Sequence, residues 1–358
     1  MRILVFLIAA LAVLAPATRA AEPFFKPGDV VALVGGEDMV VAAELGYLET
    51  LIQLALPDHK LKFRSLAREG DTVFEQRRDL NYPKLEDQLD KMGATVVICQ
   101  FGQMESLAAA RAVDGMDRVD AMDKVDAPTG DSAVQEVHKV QPVHEKADAL
   151  RKAKVAEFVA AYEKLIGRLK GKDGARRIVI ADPHYFGSFP SSGDGRPHPS
   201  AYHVAISELA KTSGILRIES NLPPGTVAAR DKIHLNDEGH RYWSIGVRDR
   251  LTGASVADAA LSGKSPTRSF PDVSENAKAN ASLRDLVAAK NRLWFHYYRP
   301  QNWAFLAGDR TNQPSSRDHL DPSKRWFPEE LEKFVPLIDA KDAEIWALAK
   351  KLSAQGGK

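Results

Sequence analysis

The sequence predicts a three-layer α/β protein built on a parallel sheet. Three observations predict it. Short apolar, partly β-branched runs recur between residues 28 and 218, and segments with apolar residues at helical spacing separate them. The loops that leave the runs are rich in Gly, Asp and other small or polar residues. Parallel strands need crossover helices, and strands covered on both faces read as continuous apolar runs. Ligands are expected at the carboxyl ends of the strands.

Each element follows from its residues. Gly28-Asp29-Val30-Val31-Ala32-Leu33-Val34 reads as a buried strand, and Gly35-Gly36-Glu37-Asp38 as the turn after it. Residues 42–56 carry Leu45, Leu48, Ile52 and Leu56 at helical spacing. Residues 61–66 form a second strand, with Arg68-Glu69-Gly70-Asp71-Thr72 as its exit loop. A helix over 85–92 leads to a central strand over 94–100, which holds Cys99 as a small core residue. Residues 107–148 read as a mobile surface insertion. Their Val-Asp pairs (Val113-Asp114, Val119-Asp120, Val125-Asp126) lack aromatic neighbours, and no glutamate closes them into a calcium loop.

Order resumes with a helix over about 149–169, a strand over 177–181, the loop Asp182 to Gly187, a helix over 201–212 and a strand over 215–218. The main domain closes near residue 253. Residues 254–272, rich in Ser, Ala and Pro, read as a linker. The remainder, 273–358, is a helical extension with helices over 283–295 and within 329–352. Between those helices stands His296-Tyr297-Tyr298-Arg299-Pro300-Gln301-Asn302-Trp303. Its His296, Arg299 and Asn302 suit a carboxylate or sugar hydroxyls, but such a cluster more often docks a tail onto its domain.

Composition narrows the function classes. With 44% hydrophobic residues and 27% charged ones, the chain has enough apolar material for a sizeable core. A formal net charge of +1 argues against nucleic-acid binding by bulk electrostatics. One cysteine excludes an intrachain disulfide. Residues 1–20 read as a signal peptide: Arg2 supplies the positive start, 3–14 the apolar run and 16–20 the small-residue exit. A dozen apolar residues are short for a membrane span, so the expected location is periplasmic or secreted, with no membrane partner after cleavage.

The chemistry gathers at Asp231-Lys232-Ile233-His234-Leu235-Asn236-Asp237-Glu238-Gly239-His240, a loop leading into a helix that Asn236 or Asp237 can cap. Asp231 and His234, three apart, are the base half of a nucleophilic site: the carboxylate fixes the imidazole, and the imidazole takes a proton from a hydroxyl. The plain alternative is a solvated helix cap. The order Asp-x-x-His-Leu-Asn-x-x-Gly-His resembles the last block of the SGNH (GDSL-type) esterases.

That resemblance implies what the other strand exits carry. Glu69-Gly70-Asp71-Thr72 resembles the family's Gly-Asp-Thr and puts Gly70 on the oxyanion glycine. A turn needing positive φ is that glycine's other expected role. Gly35-Gly36-Glu37 falls on Gly-Asp-Ser, so Glu37 stands where the nucleophilic serine is expected, with Asp38 beside it. Phe101-Gly102-Gln103-Met104-Glu105-Ser106 resembles Gly-x-Asn-Glu-Ser, so Met104 takes the place of the oxyanion asparagine, and Met donates no hydrogen bond. Gln103 would donate instead if the loop shifted by one residue. His184, after a strand, is a further cleft candidate.

Gly46-Tyr47-Leu48-Glu49-Thr50, the Gly-Asp-Thr-Val loop, Phe-Gly-x-x-Glu-Ser and Lys290-Asn291-Arg292-Leu293-Trp294-Phe295-His296 are similar to exported planctomycete-type SGNH-like proteins, some of which lack the serine. The resemblance implies an ester (acyl or acetyl) hydrolase of carbohydrate-like substrates with its serine and asparagine replaced. The alternative is a pseudoenzyme, a binding or scaffold protein that reuses the cleft. Neither needs a cofactor. Convergence of Glu37, Asp38, Asp231 and His234 on a divalent metal is not demanded by their spacing, and no metal is expected.

Overall fold

The computed structural model describes residues 23–78, 82–109, 136–184, 199–220, 222, 233–253, 277–306 and 310–356. The expected signal peptide and linker, Asp231 and most of the expected insertion lie outside the described residues.

Five strands form one parallel sheet: β1 (Val30–Gly35), β2 (Lys62–Ser65), β3 (Val96–Gln100), β4 (Arg177–Ala181) and β5 (Leu216–Ile218). Their order is β2-β1-β3-β4-β5, the flavodoxin-like doubly wound arrangement. Register is in step across the centre, with Leu33 opposite Ile98 and Ile98 opposite Val179.

The two-residue alternation of the strands sorts the core into two sides. Ala32, Val34, Val97, Cys99, Ile178 and Ile180 face one side. There they meet α3 (Leu85–Lys91), α4 (Glu136–Lys170) and α5 (Pro199–Thr212), through Leu89, Phe158, Tyr162, Leu165 and Ile206. Val31, Leu33, Val96, Ile98, Val179 and Ala181 face the other. They meet α1 (Glu37–Leu45), α2 (Tyr47–Ala55) and α6 (Asp237–Thr252), through Met39, Leu48, Ile52, Trp243 and Val247. Cys99 is fully buried, and burial pushes its thiol up to about 12, so it is an inert core residue.

Several elements differ from expectation. The helix expected over 42–56 is two helices. Gly46, at φ 71°, closes α1 in the left-handed conformation, and α2 restarts at once. That glycine has a second use: a Cβ there would lie 2.9 Å from the Val287 Cγ1 atom, so a side chain would push away the C-terminal helix. α1 also begins at Glu37, so Glu37 and Asp38 are its first turn and not part of an open loop.

The helix expected over about 149–169 begins at Glu136, which makes the end of the expected insertion helical; residues 107–109 are helical too. Pro142 stands within residues 136–148 and reads as a helix breaker, while Phe158, Tyr162 and Leu165 make the later turns plain.

The C-terminal residues form α7 (Ala277–Tyr298), α8 (Trp303–Leu306), α9 (Trp326–Glu332) and α10 (Phe334–Gly356). They pack against edge strand β2 and helix α2. Trp294, Tyr297, Tyr298 and Ile338 join the main core, and Leu283, Val287, Ile345 and Ala349 seal α7 to α10. Hydrogen bonds from Trp294 Nε1 to Ser65 O (2.6 Å) and from Tyr298 Oη to Leu66 O (3.1 Å) tie α7 to the exit of β2. The aromatic residues therefore do dock the tail. Among the described residues no helix is long and apolar enough to cross a membrane.

One ion pair in this joint is fully buried. Lys290 Nζ lies 2.7 Å from both Glu49 carboxylate oxygens and 3.0 Å from Phe63 O. Lys290→Ala leaves the Glu49 carboxylate buried without its cation. The expected loss is about 3–5 kcal/mol in urea unfolding. Lys62→Ala, which removes an exposed partner of Asp339 on the same surface, is expected to cost under about 1 kcal/mol. Equal effects of the two changes would show that the buried pair is not what holds the tail.

Candidate active site

The exits of β1, β2 and β3 and the loop before α6 meet at the carboxyl edge of the sheet, where a doubly wound fold places its ligands. Each exit is fixed by side-chain bonds to the backbone of another. A Cβ on Gly36 would stand 3.3 Å from Asp71 O, so the first and second exits already touch. Glu105 staples the second exit to the third: Val73 N donates to Oε1 (2.7 Å) and Gly102 N to Oε2 (2.9 Å). Gln103 ties the third to the last, donating from Nε2 to Ile233 O (2.5 Å) and to His184 O (3.2 Å). Asp38 ties the first to the last by accepting from Leu235 N at 3.3 Å. Asp71 is held by Arg78 through bonds of 2.9 and 3.1 Å.

The resulting hollow is lined by Gly36, Glu37, Asp38, Asp71, Gln100 to Glu105 and Pro183. Glu37 is exposed at the head of α1, where the helix dipole favours a carboxylate. Met104 is 42% exposed at the same edge. His234 is half-buried beside this edge, and Asn236 caps α6 by accepting from Gly239 N at 2.8 Å. Asp231 lies outside the described residues.

Two expectations need correction. Gln103 does not replace the oxyanion asparagine, because its amide N–H groups are directed at two carbonyls. Gly70 does not need positive φ, and a Cβ there would meet nothing within 4 Å, so no steric demand keeps this position a glycine.

His184 lies beneath the edge, 1% exposed. Its Nδ1 is hydrogen-bonded to Ser220 Oγ. A serine next to an imidazole raises the question of a nucleophile, and Gln100 answers it. The Gln100 amide nitrogen donates to Asp182 O at 2.9 Å and stands 3.2 Å from His184 Nε2. Asp182 O can only accept, so the NH2 group must face this way and donate to Nε2 as well. Nε2 is then the acceptor, Nδ1 carries the proton, and the imidazole donates to Ser220 instead of activating it. Burial, aided by His240 and His203, holds His184 well below the ordinary imidazole range, so it stays neutral.

His240 is a residue that the spacing argument passed over. It stands on the inward face of α6, three positions before Trp243, and its Nε2 lies 3.9 Å from Asp38 Oδ1. Neither ring nitrogen has a hydrogen-bond partner among the described residues. Burial takes its pKa down to about 4, against a raising effect of Asp237 and with a further lowering by His234. The signal was present in the sequence as a histidine in register with the apolar stripe Trp243 and Val247.

The sheet order and the four stapled exits define a class: the chain has an SGNH hydrolase-like α/β fold. Solved structures share it. One is the gut microbial diltiazem-metabolizing enzyme BT4096, at 13% identity and TM-score 0.50, covering 94% of this chain and 96% of that one. A second is a provisionally assigned GDSL-like lipase from Parabacteroides merdae, at 11% identity and TM-score 0.43, covering 65% and 99%. A third is the acetylxylan esterase Axe2 from Geobacillus stearothermophilus, at 15% identity and TM-score 0.38, covering 63% and 95%. No protein-family model matches the sequence, and no curated protein matches it as a relative.

The depressed histidines set a pH dependence. Below an unfolded pKa of about 6.5, the unfolded chain takes up protons that folded His240 refuses down to about 4. Stability from its neutral form is complete above about pH 6.5 and falls as the pH drops toward 4, by roughly 1.4 kcal/mol per pH unit. His240→Gln should flatten the urea-unfolding profile over that window relative to wild type. Parallel profiles would mean that His240 does not stay neutral in the fold.

Proposed function

We propose that the chain is an SGNH hydrolase-type protein whose cleft recognises ester (acyl or acetyl) ligands of a carbohydrate-like class, and that the serine route of cleavage is missing from it. The observation that carries the reading is the chemistry of the edge. Glu37 heads α1, where the sequence resemblance expects a nucleophilic hydroxyl; Met104 lines the same hollow, where it expects an asparagine; and the neighbouring Gln103 amide is spent on Ile233 and His184. Glu37 would repel a developing oxyanion, and Met104 gives it no hydrogen bond. In this reading His234 keeps the base position, Asp231 orients it, and the Gly70 N–H is the remaining oxyanion donor. The carbohydrate-like class rests on the sequence resemblance.

The export signal at 1–20 belongs to the same reading, with a mature chain starting near Ala21. N-terminal sequencing of periplasmic or secreted material should begin there; a chain that retains residues 3–14 would overturn the export reading.

A fluorophosphonate probe should leave the wild-type protein unlabelled. Serine labelling that His234→Ala abolishes would show an intact serine esterase. The constructive test is Glu37→Ser with Met104→Asn. On an intact scaffold that pair should create hydrolysis of 4-nitrophenyl acetate, and each single change should give much less. One missing oxyanion donor alone costs about a hundred- to a thousand-fold.

A further inference from the structure

A second cavity lies beside the four-loop edge, between α1 and the C-terminal helix α7. It holds about 390 Å³, against about 20 Å³ for the hollow at the edge. The described part of the hollow has room for little more than a water. The larger cavity falls in the range of small-ligand pockets. Val40, Ala43, Ala67 and Ala288 supply much of its apolar wall, and Glu44, Arg292, His296 and Arg299 its polar groups.

Two elements run from hollow to cavity. Helix α1 carries Glu37 in the hollow and Val40 and Glu44 in the cavity, roughly 5 and 10 Å further along its axis. The exit of β2 carries Asp71 in the hollow and Glu69 at the cavity, where Glu69 pairs with Arg299 at 2.9 Å. Glu44 senses both carboxylates: burial first, then Glu69 and Glu37, raise its pKa against the pull of Arg299.

The lining selects among ligand groups. A sugar ring needs an open aromatic face, but each of the three large aromatic rings in the lining is already covered by a guanidinium. Arg64 lies over Trp294 at 5.3 Å, Arg68 over Tyr298 at 5.5 Å and Arg299 over Phe295 at 5.0 Å. What remains is mainly the methyl surface of Val40, Ala43, Ala67 and Ala288, with Arg299 paired to Glu69. Such a surface favours an uncharged, compact apolar group.

We propose that this cavity is an acyl- or aryl-binding subsite, completed by α7, that seats the apolar group of a ligand whose polar, ester-like part lies at the four-loop edge. The placement of the polar part rests on the function proposed above; the cavity's preference for an apolar group stands apart from it.

The test is equilibrium binding of N-(2-naphthyl)acetamide, a non-hydrolysable aryl probe, followed by naphthyl fluorescence anisotropy, with acetamide as competitor. Wild type should bind the probe saturably, and acetamide should not displace it. Ala288→Phe fills the cavity from α7 and should weaken binding at least tenfold at an unchanged melting temperature. Ala288→Leu, a smaller fill, serves if the Phe variant does not fold. No saturable binding to wild type, or undiminished binding to a folded cavity-filled variant, overturns the proposal. A second comparison sets aryl acetate esters against their parent alcohols. Probe binding that is lost on filling, with no preference for the ester, supports the subsite and sinks the ester-cleft reading. A preference for the ester that filling leaves intact does the reverse.

Discussion

The rest of the structure depends on one buried charge. Lys290 is completely enclosed, yet it stands on a helix contributed by the C-terminal third of the chain. An ammonium in the interior costs several kcal/mol unless every proton finds an acceptor. Here Glu49 supplies two oxygens and Phe63 a carbonyl. Burial pulls the pair toward neutrality, lifting Glu49 and lowering Lys290, and their mutual attraction opposes it. A second buried pair, Arg64 with Asp342, lies alongside and joins β2 to α10. Four charged groups thus fix two tail helices on the edge strand. That strand would otherwise present unpaired backbone groups to other chains.

The joint has consequences at the cleft. α7 can lie where it does because Gly46 has no side chain, and Trp294 and Tyr298 bond to the carbonyls of Ser65 and Leu66. Those carbonyls begin the loop that carries Glu69, Gly70 and Asp71. A loop that would be free at an exposed sheet edge is therefore pinned by the tail, and Arg299 holds it again through Glu69. The tail thus holds the exit of β2 as well as adding to the core.

Much of the main domain was legible in the sequence because its signals are local. The apolar runs at 30–35, 96–100 and 177–181 are strands because they are buried on both faces, and composition alone records that. The break at Gly46 and the early start of α4 were less legible. The first is a left-handed glycine whose lack of a side chain also admits Val287, some 240 positions away, and the second is a helix that continues through Pro142. The edge followed the same rule. Glu37, Met104 and Gly70 could be placed by their strand exits, but the role of Gln103 could not. What Gln103 does is decided by two carbonyls on distant loops. The neutral state of His240 and the tautomer of His184 are likewise products of packing and of Gln100.

The side chains that join the loops at the edge are not Glu37 or Met104. Glu105, Gln103 and Asp38 join the loops through bonds to backbone, Arg78 holds Asp71 within one of them, and none of these bonds passes through Glu37 or Met104. Glu37 and Met104 can therefore be exchanged without removing the bonds that join these loops. The geometry of the edge is held by the stapling residues. The bonds that shape the sheet edge are therefore encoded apart from Glu37 and Met104, and a shared shape at that edge does not by itself fix a chemistry.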